Sequence, residues 1–233
     1  MGEYEFMIKI LRYGAIAVFA FIFIGISAGE TNAQLTSILT RMDNHNKALS
    51  SLKADVTMSK YNNQLEVSDV TKGKAIYLPR KGKDALVRID WADPDESMAV
   101  VDKKYVIYRP RLKQAYTGNI NSAKGNAKAG NALAFMSMSR SQLRANYDAT
   151  ILDPGTLSDG TKTDHIQLIP KKASSYTSAE IWVDANGMPV QSKIVEKNGD
   201  TTTIMLTNIV KNKTINADDF SITIPKGTEI LKS

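Results

Sequence analysis

Cysteine is absent from this 233-residue chain. That excludes disulfides, cysteine-ligated zinc or iron–sulfur sites, thiol nucleophiles and the lipid-modified cysteine of a bacterial lipoprotein. Histidine is nearly absent too, with only His45 and His165, which removes most metal and general acid/base constellations. No sign of charge dominates: 30 Lys+Arg against 24 Asp+Glu give a formal +6, and 42% of residues are hydrophobic, so the composition is not that of a disordered chain. The length suits one or two ordinary domains, and neither a fixed-period repeat nor a linker divides it.

Long apolar runs are lacking except for one. Lys9 and Arg12 precede the apolar stretch Tyr13 to Ile26, which gives way to the small and polar residues Ser27, Ala28, Gly29, Glu30, Thr31, Asn32 and Ala33. This is the three-part pattern of a cleaved secretory signal, expected over residues 1–33 with scission after Ala33 or Ala28. The run is shorter than the roughly 20 residues that span a bilayer. Glu3 and Glu5 sit against an n-region that should be positive, and a start at Met7 would restore it. Removing residues 1–33 takes away two positive and three negative side chains and moves the formal charge from +6 to +7. The basic doublets Arg80-Lys81, Lys103-Lys104 and Lys171-Lys172 are scattered at strand ends, so no nucleic-acid footprint is expected.

The part expected to remain, residues 34–233, reads as one domain. Leu35, Ile38, Leu39, Met42, Leu49 and Leu52 recur at helical steps and predict an amphipathic helix from Gln34 to Lys53. Period-two segments then predict strands at 52–61, 70–78, 85–91, 98–101, 105–108 and 112–117. After Gly118 a small-residue, polar stretch predicts a mobile loop, and Leu133, Phe135, Met136, Met138 and Leu143 predict a short helix ending near Arg144. Strands resume at 147–152, 165–169, 179–183, 189–195, 202–209 and 220–224, with turns at Asp153-Pro154-Gly155, Asn186-Gly187 and Asn198-Gly199. About twelve strands and two helices give a mainly β, α+β fold: one antiparallel sheet curled into an unclosed half-barrel with helices over its mouth.

Motifs of catalysis fail on inspection. Gly25-Ile26-Ser27-Ala28-Gly29 has the spacing of a nucleophile elbow but lies in the leader. Gly125 and Gly130 have phosphate-loop spacing, yet Asn131 and Ala132 stand where Lys and Ser/Thr are needed. Asp93, Asp95 and Glu96 around Pro94 read as solvated turn formers, and His165 as a polar residue at a strand end. Asn212-Lys213-Thr214 is a glycosylation acceptor only in a eukaryotic secretory route. No metal, no cofactor and no catalytic set is expected.

Apolar residues gather on single strand faces instead: Val87, Ile89 and Trp91, then Val106 and Tyr108, Ile166 and Leu168, and Ile181 and Val183. These sets fill either an ordinary core or the wall of a cavity. Phe135, Met136 and Met138 suit a cover that repacks around a changing occupant, because Met is unbranched and adaptable.

The order Leu78-Pro79-Arg80, Arg88 to Trp91, Pro94 to Ser97, Val100 to Pro110 and Gln114-Ala115 resembles the outer-membrane lipoprotein carrier proteins (LolA-like). So do Leu168 to Lys171, Ile181 to Pro189, Leu206 to Ile209 and the tail Phe220 to Ile230. Without a convergent acid/base, metal or nucleophile set the chain is not expected to be an enzyme, and the resemblance implies an eleven-stranded unclosed barrel. It implies a periplasmic protein, expected to be monomeric, whose apolar concave face, under a helical lid, holds the acyl chains of lipoproteins or other lipids. An inner-membrane ABC-type releasing complex and an outer-membrane receptor lipoprotein are the implied partners. It further implies an arginine fastening the lid: Arg80, which follows Pro79 where the family places it before, or Arg88, six residues ahead of Pro94.

Overall fold

The computed structural model describes residues 27–81, 83–119 and 138–232. Residues 1–37 and 38–233 form two compact units; the architecture below is that of the second, entered by helix α1 (Ser27–Ala48).

Twelve strands form one sheet: β1 (Leu52–Asn62), β2 (Val67–Arg80), β3 (Lys83–Trp91), β4 (Glu96–Val101), β5 (Lys104–Arg109), β6 (Gln114–Asn119), β7 (Tyr147–Thr156), β8 (Lys162–Pro170), β9 (Tyr176–Val183), β10 (Pro189–Glu196), β11 (Thr201–Lys211) and β12 (Glu229–Lys232). The order across it is β12-β6-β5-β4-β3-β2-β1-β11-β10-β9-β8-β7. Two antiparallel meanders, β1 to β6 and β7 to β11, are joined through β1 and β11, and β12 adds to β6 in parallel. Short polar turns between alternating strands dictate the meanders, because a hairpin can only return its chain antiparallel. Gly187, at φ +83°, allows the β9–β10 turn to pass beneath α1, where a Cβ would stand 2.4 Å from the Arg41 backbone. The short helix α2 (Arg140–Asn146) starts at a capping box: Gln142 N donates to Ser139 Oγ (3.2 Å) and Ser139 N donates to Gln142 Oε1 (2.8 Å).

Several boundaries move. Helix α1 begins at Ser27, inside the expected leader, and ends at Ala48, so Leu52 is a strand residue and not part of the helical stripe. The expected scission points fall in its first two turns; residues 1–26 lie outside the described part. Asp153-Pro154-Gly155 is no turn. It is an irregularity within β7, between Leu152 and Gly155, and an edge strand accommodates it because a proline there lacks only an outward N–H. The strand expected at 220–224 is absent. Ala217–Phe220 forms a 3-10 turn, and residues 221–225 after it are in no strand. The loop and helix expected between Ile120 and Ser137 lie outside the described residues.

The two faces of the sheet are covered to different extents. On the outer face Ile215 and Phe220 of the C-terminal tail pack with Leu86, flanked by Ile76 and Leu78. The inner face lies under α1.

Candidate functional site

Register alone assembles the inner face. Ile107, Met98, Ile89, Ala75 and Ala54 align across β5 to β1, and Ile166, Ile181, Ser192, Ile204 and Met58 align across β8 to β1. All ten are buried. Val87, Ile89, Trp91, Ile166, Leu168, Ile181 and Val183, expected on one surface, do share it. Trp91 fits because its register partner Gly73 has no side chain; a Cβ there would stand 3.0 Å from the indole ring.

Val106 and Tyr108 do not belong to it. Val106 aligns with Ala99 and, through it, with Arg88, on the outer face. The inward residues of β5 are Tyr105 and Ile107, both buried. Tyr105 to Tyr108 is apolar at every position, so alternation carries no phase there, and only the neighbouring strand fixes it. Glu96 also departs from its reading as a solvated turn former. Its side chain is buried, Arg109 Nε donates to Oε2 at 2.5 Å, and the guanidinium lies 4.8 Å above the Tyr116 ring. Asp93 and Asp95 are exposed as expected.

Helix α1 covers this surface with Ile38, Leu39 and Met42, each 1% exposed or less. Polar ties fasten it. Arg41 donates to Asp164 on β8 and to the Ala185 carbonyl (3.4 Å) in the β9–β10 turn. Asn46 Nδ2 donates to Met138 O (3.1 Å), and Arg140 Nη1 donates to Thr40 Oγ1 (3.0 Å). The arginine on the fastening side is therefore carried by the helix itself. Arg80 bonds within the hairpins of the sheet, to Asp84 O (2.7 Å) and Asp102 Oδ1 (2.6 Å). Arg88 secures the outer tail, donating to the Asp219 and Ser221 carbonyls, both at 3.0 Å. Among the described residues neither bonds to α1. Sequence could show that an arginine interrupts the apolar stripe beside Met42, but its partner is 123 positions away.

Space remains beneath the last turns of α1. A cavity of ≈ 40 Å³ is walled by His45, Leu49, Leu52, Ala75, Met188 and Leu206, among others. It shares Asn46, Leu49 and Tyr77 with a cleft of ≈ 410 Å³ that reaches Arg80, Lys83, Met138 and Gln142. Pockets that enclose a small organic ligand run to about 300–1,000 Å³, so the inner cavity takes a chain only if α1 yields. His45 Nε2 is buried without a hydrogen-bond partner, as are Arg41 Nε and Trp91 Nε1. Burial, reinforced by the charge of Lys211 and partly opposed by Asp184, pulls the His45 pKa below its usual value.

Phe135 and Met136, expected on the cover, lie outside the described residues; Met138 lines the cleft. His165, on the outer face, stacks on Trp182 (centroids 4.1 Å apart) and meets Glu180 Oε2 at 3.0 Å, with Lys193 on the other carboxylate oxygen. Among the described residues no three His, Cys, Asp or Glu side chains gather as a metal site, and no helix is long and apolar enough to cross a membrane.

The family described as "Outer membrane lipoprotein carrier protein LolA" matches residues 47–223. No curated protein matches the chain. Among solved structures, an uncharacterized conserved protein from Thermus thermophilus is similar with a TM-score of 0.53 at 12% identity, over 86% of this chain and 99% of that one. A LolA superfamily protein from Nitrosomonas europaea has a TM-score of 0.41 at 14% identity, over 80% and 97% of the two chains. For lipoprotein LppX of Mycobacterium tuberculosis the values are 0.44, 12%, 78% and 99%. The expected curled, unclosed sheet under helices is thus the fold found, and the chain belongs to the LolA family of outer membrane lipoprotein carrier proteins.

Proposed function

We propose that this protein is a periplasmic carrier that takes up the acyl chains of lipoproteins at the inner membrane and delivers them to the outer membrane. An export signal over residues 1–33 would place it there, and an ABC-type releasing complex and a receptor lipoprotein would be its donor and acceptor. The observation that carries this reading is the inner face: a mainly apolar surface, interrupted by Ser192 and the Glu96–Arg109 pair, that among the described residues is covered by α1 rather than by a second sheet. Burying an acyl chain yields about 0.8 kcal/mol per CH₂, and that requires apolar wall, not catalytic groups. Ile38, Leu39 and Met42 occupy the wall when it is empty, so cargo competes with the protein's own helix. Such competition keeps net affinity modest, because apparent affinity falls by the fraction of molecules in the open form. That suits a shuttle, which must release what it takes.

In this reading Val87, Ile89, Trp91, Ile166, Leu168, Ile181 and Val183 contact the acyl chains, joined by Tyr105 and Ile107 in place of Val106 and Tyr108. The test is native mass spectrometry of protein taken from its own cell envelope, together with the location of lipoproteins after its depletion. Copurifying acylated species and lipoproteins retained at the inner membrane are the expected results. Protein that arrives empty, with lipoproteins correctly sorted, would point to an envelope sensor or interaction module and sink the carrier reading.

A further inference from the structure

His45 stands where the wall changes character. On its inner side the cavity is lined by Leu52, Ala75 and Leu206; beyond its neighbour Asn46 the cleft adds Arg80, Lys83, Asp84 and Gln142 to apolar residues such as Leu49 and Met138. A buried polar atom without a partner costs about 1–3 kcal/mol, and His45 Nε2 is such an atom. A trapped water would relieve it only with two to four polar partners. This wall is mostly carbon, and Asn46 Nδ2 is already donated to the Met138 carbonyl.

An amphiphile lying across the boundary changes polarity at the same place: hydrocarbon inward, headgroup outward, and at the junction a carbonyl oxygen with nothing to donate. We propose that His45 Nε2–H donates to the ester or amide carbonyl joining an acyl chain to its headgroup, which sets the depth at which the ligand seats. This rests on the carrier reading and adds the chemistry of the ligand: a carbonyl-linked acyl chain, not any apolar molecule. The histidine is then a specificity-determining residue, and its nitrogen gains a partner only when cargo is present.

The experiment compares two probes of equal chain length, a monoacylglycerol with an ester carbonyl and its ether-linked analogue without one. Each displaces a fluorescent fatty acid from the full-length mature protein. The ester should bind about tenfold more tightly than the ether, as expected for one buried hydrogen bond. In H45F the two affinities should converge through loss on the ester alone, while H45Q, which keeps an N–H donor, should retain part of the preference. Equal affinities of the two probes for wild-type protein overturn the proposal without any variant, and so does a preference that survives in H45F. If neither probe displaces the fatty acid from wild-type protein, the carrier reading itself fails.

Discussion

The two faces of the sheet are covered in different ways. Over β2 and β3 the outer face is closed by the tail after β11, where Phe220 and Ile215 pack on Leu86, Arg88 satisfies two tail carbonyls, and β12 ties the end to β6, while Val70 and Ile169 elsewhere on that face stay exposed. The inner face is lined mainly by buried apolar side chains, and among the described residues its cover is α1, held by ties at Thr40, Arg41 and Asn46. The three buried unpartnered polar atoms among the described residues, on Arg41, His45 and Trp91, belong to that helix or the surface under it. Apolar burial alone does not separate the covers, since both bury large side chains. Polar satisfaction does: the unpartnered buried groups, costly to leave unpaired, lie at the helix or under it and not at the tail, which fits the proposed exchange of the helix for cargo.

The sharpest way to break this contrast is to cut each cover at its most buried side chain. Phe220→Ala should cost about 3–5 kcal/mol of global stability, read from denaturant unfolding, with little change in fatty-acid affinity of the molecules that stay folded. Met42→Ala should cost less stability and tighten fatty-acid binding by about tenfold, because less self-contact opposes entry. If Met42→Ala weakens binding while Phe220→Ala tightens it, the roles of the two covers are reversed.

A smaller effect is expected at the tie itself. Asp164→Asn removes the carboxylate charge facing Arg41 across a partly exposed contact, worth about 0.5–1 kcal/mol. Hydrogen exchange should quicken at the amides of residues 38–48 and not at those of the tail. Uniform quickening would mean that the helix opens only with the whole domain.

The smallest expected effect is on pH. With its pKa below the ordinary histidine value of 6.5, His45 is held neutral when the helix is docked. An undocked His45 takes up a proton near that value and the docked one does so only at lower pH. Docking is therefore unaffected by this group above pH 6.5 and weakens as the pH falls from there toward the depressed value. Lys211 deepens the effect and Asp184 offsets part of it. Exchange protection of α1, corrected for intrinsic rates, should decline over that interval in the wild type and stay level in H45F.

Most of the sheet is legible in the sequence because its signals are local. Alternation and the Asn186-Gly187 and Asn198-Gly199 turns place β8 to β11 within a few residues, and one helical stripe points to the cover. Errors arise where a local pattern is ambiguous or its partner is remote. Tyr105 to Tyr108 has no phase of its own, and Phe220 to Ile224 alternates like a strand but forms none. Glu96 reads as a turn acid until Arg109 folds over it. Arg80 and Arg88 are expected to fasten the lid because their position in a motif is visible; their partners in the fold, Asp84 and Asp102 for one and the tail carbonyls for the other, are not.

The sequence by itself determined that this is a cysteine-free, mainly β chain with apolar faces and no catalytic constellation, because composition and period-two patterning are written residue by residue. Only the tertiary structure decided which face is inward on β5, that Arg41 meets Asp164, and that His45 is left unpartnered at the edge of a small cavity. Those facts depend on strand register and on contacts between segments more than a hundred residues apart, and such distances leave no trace in local spacing.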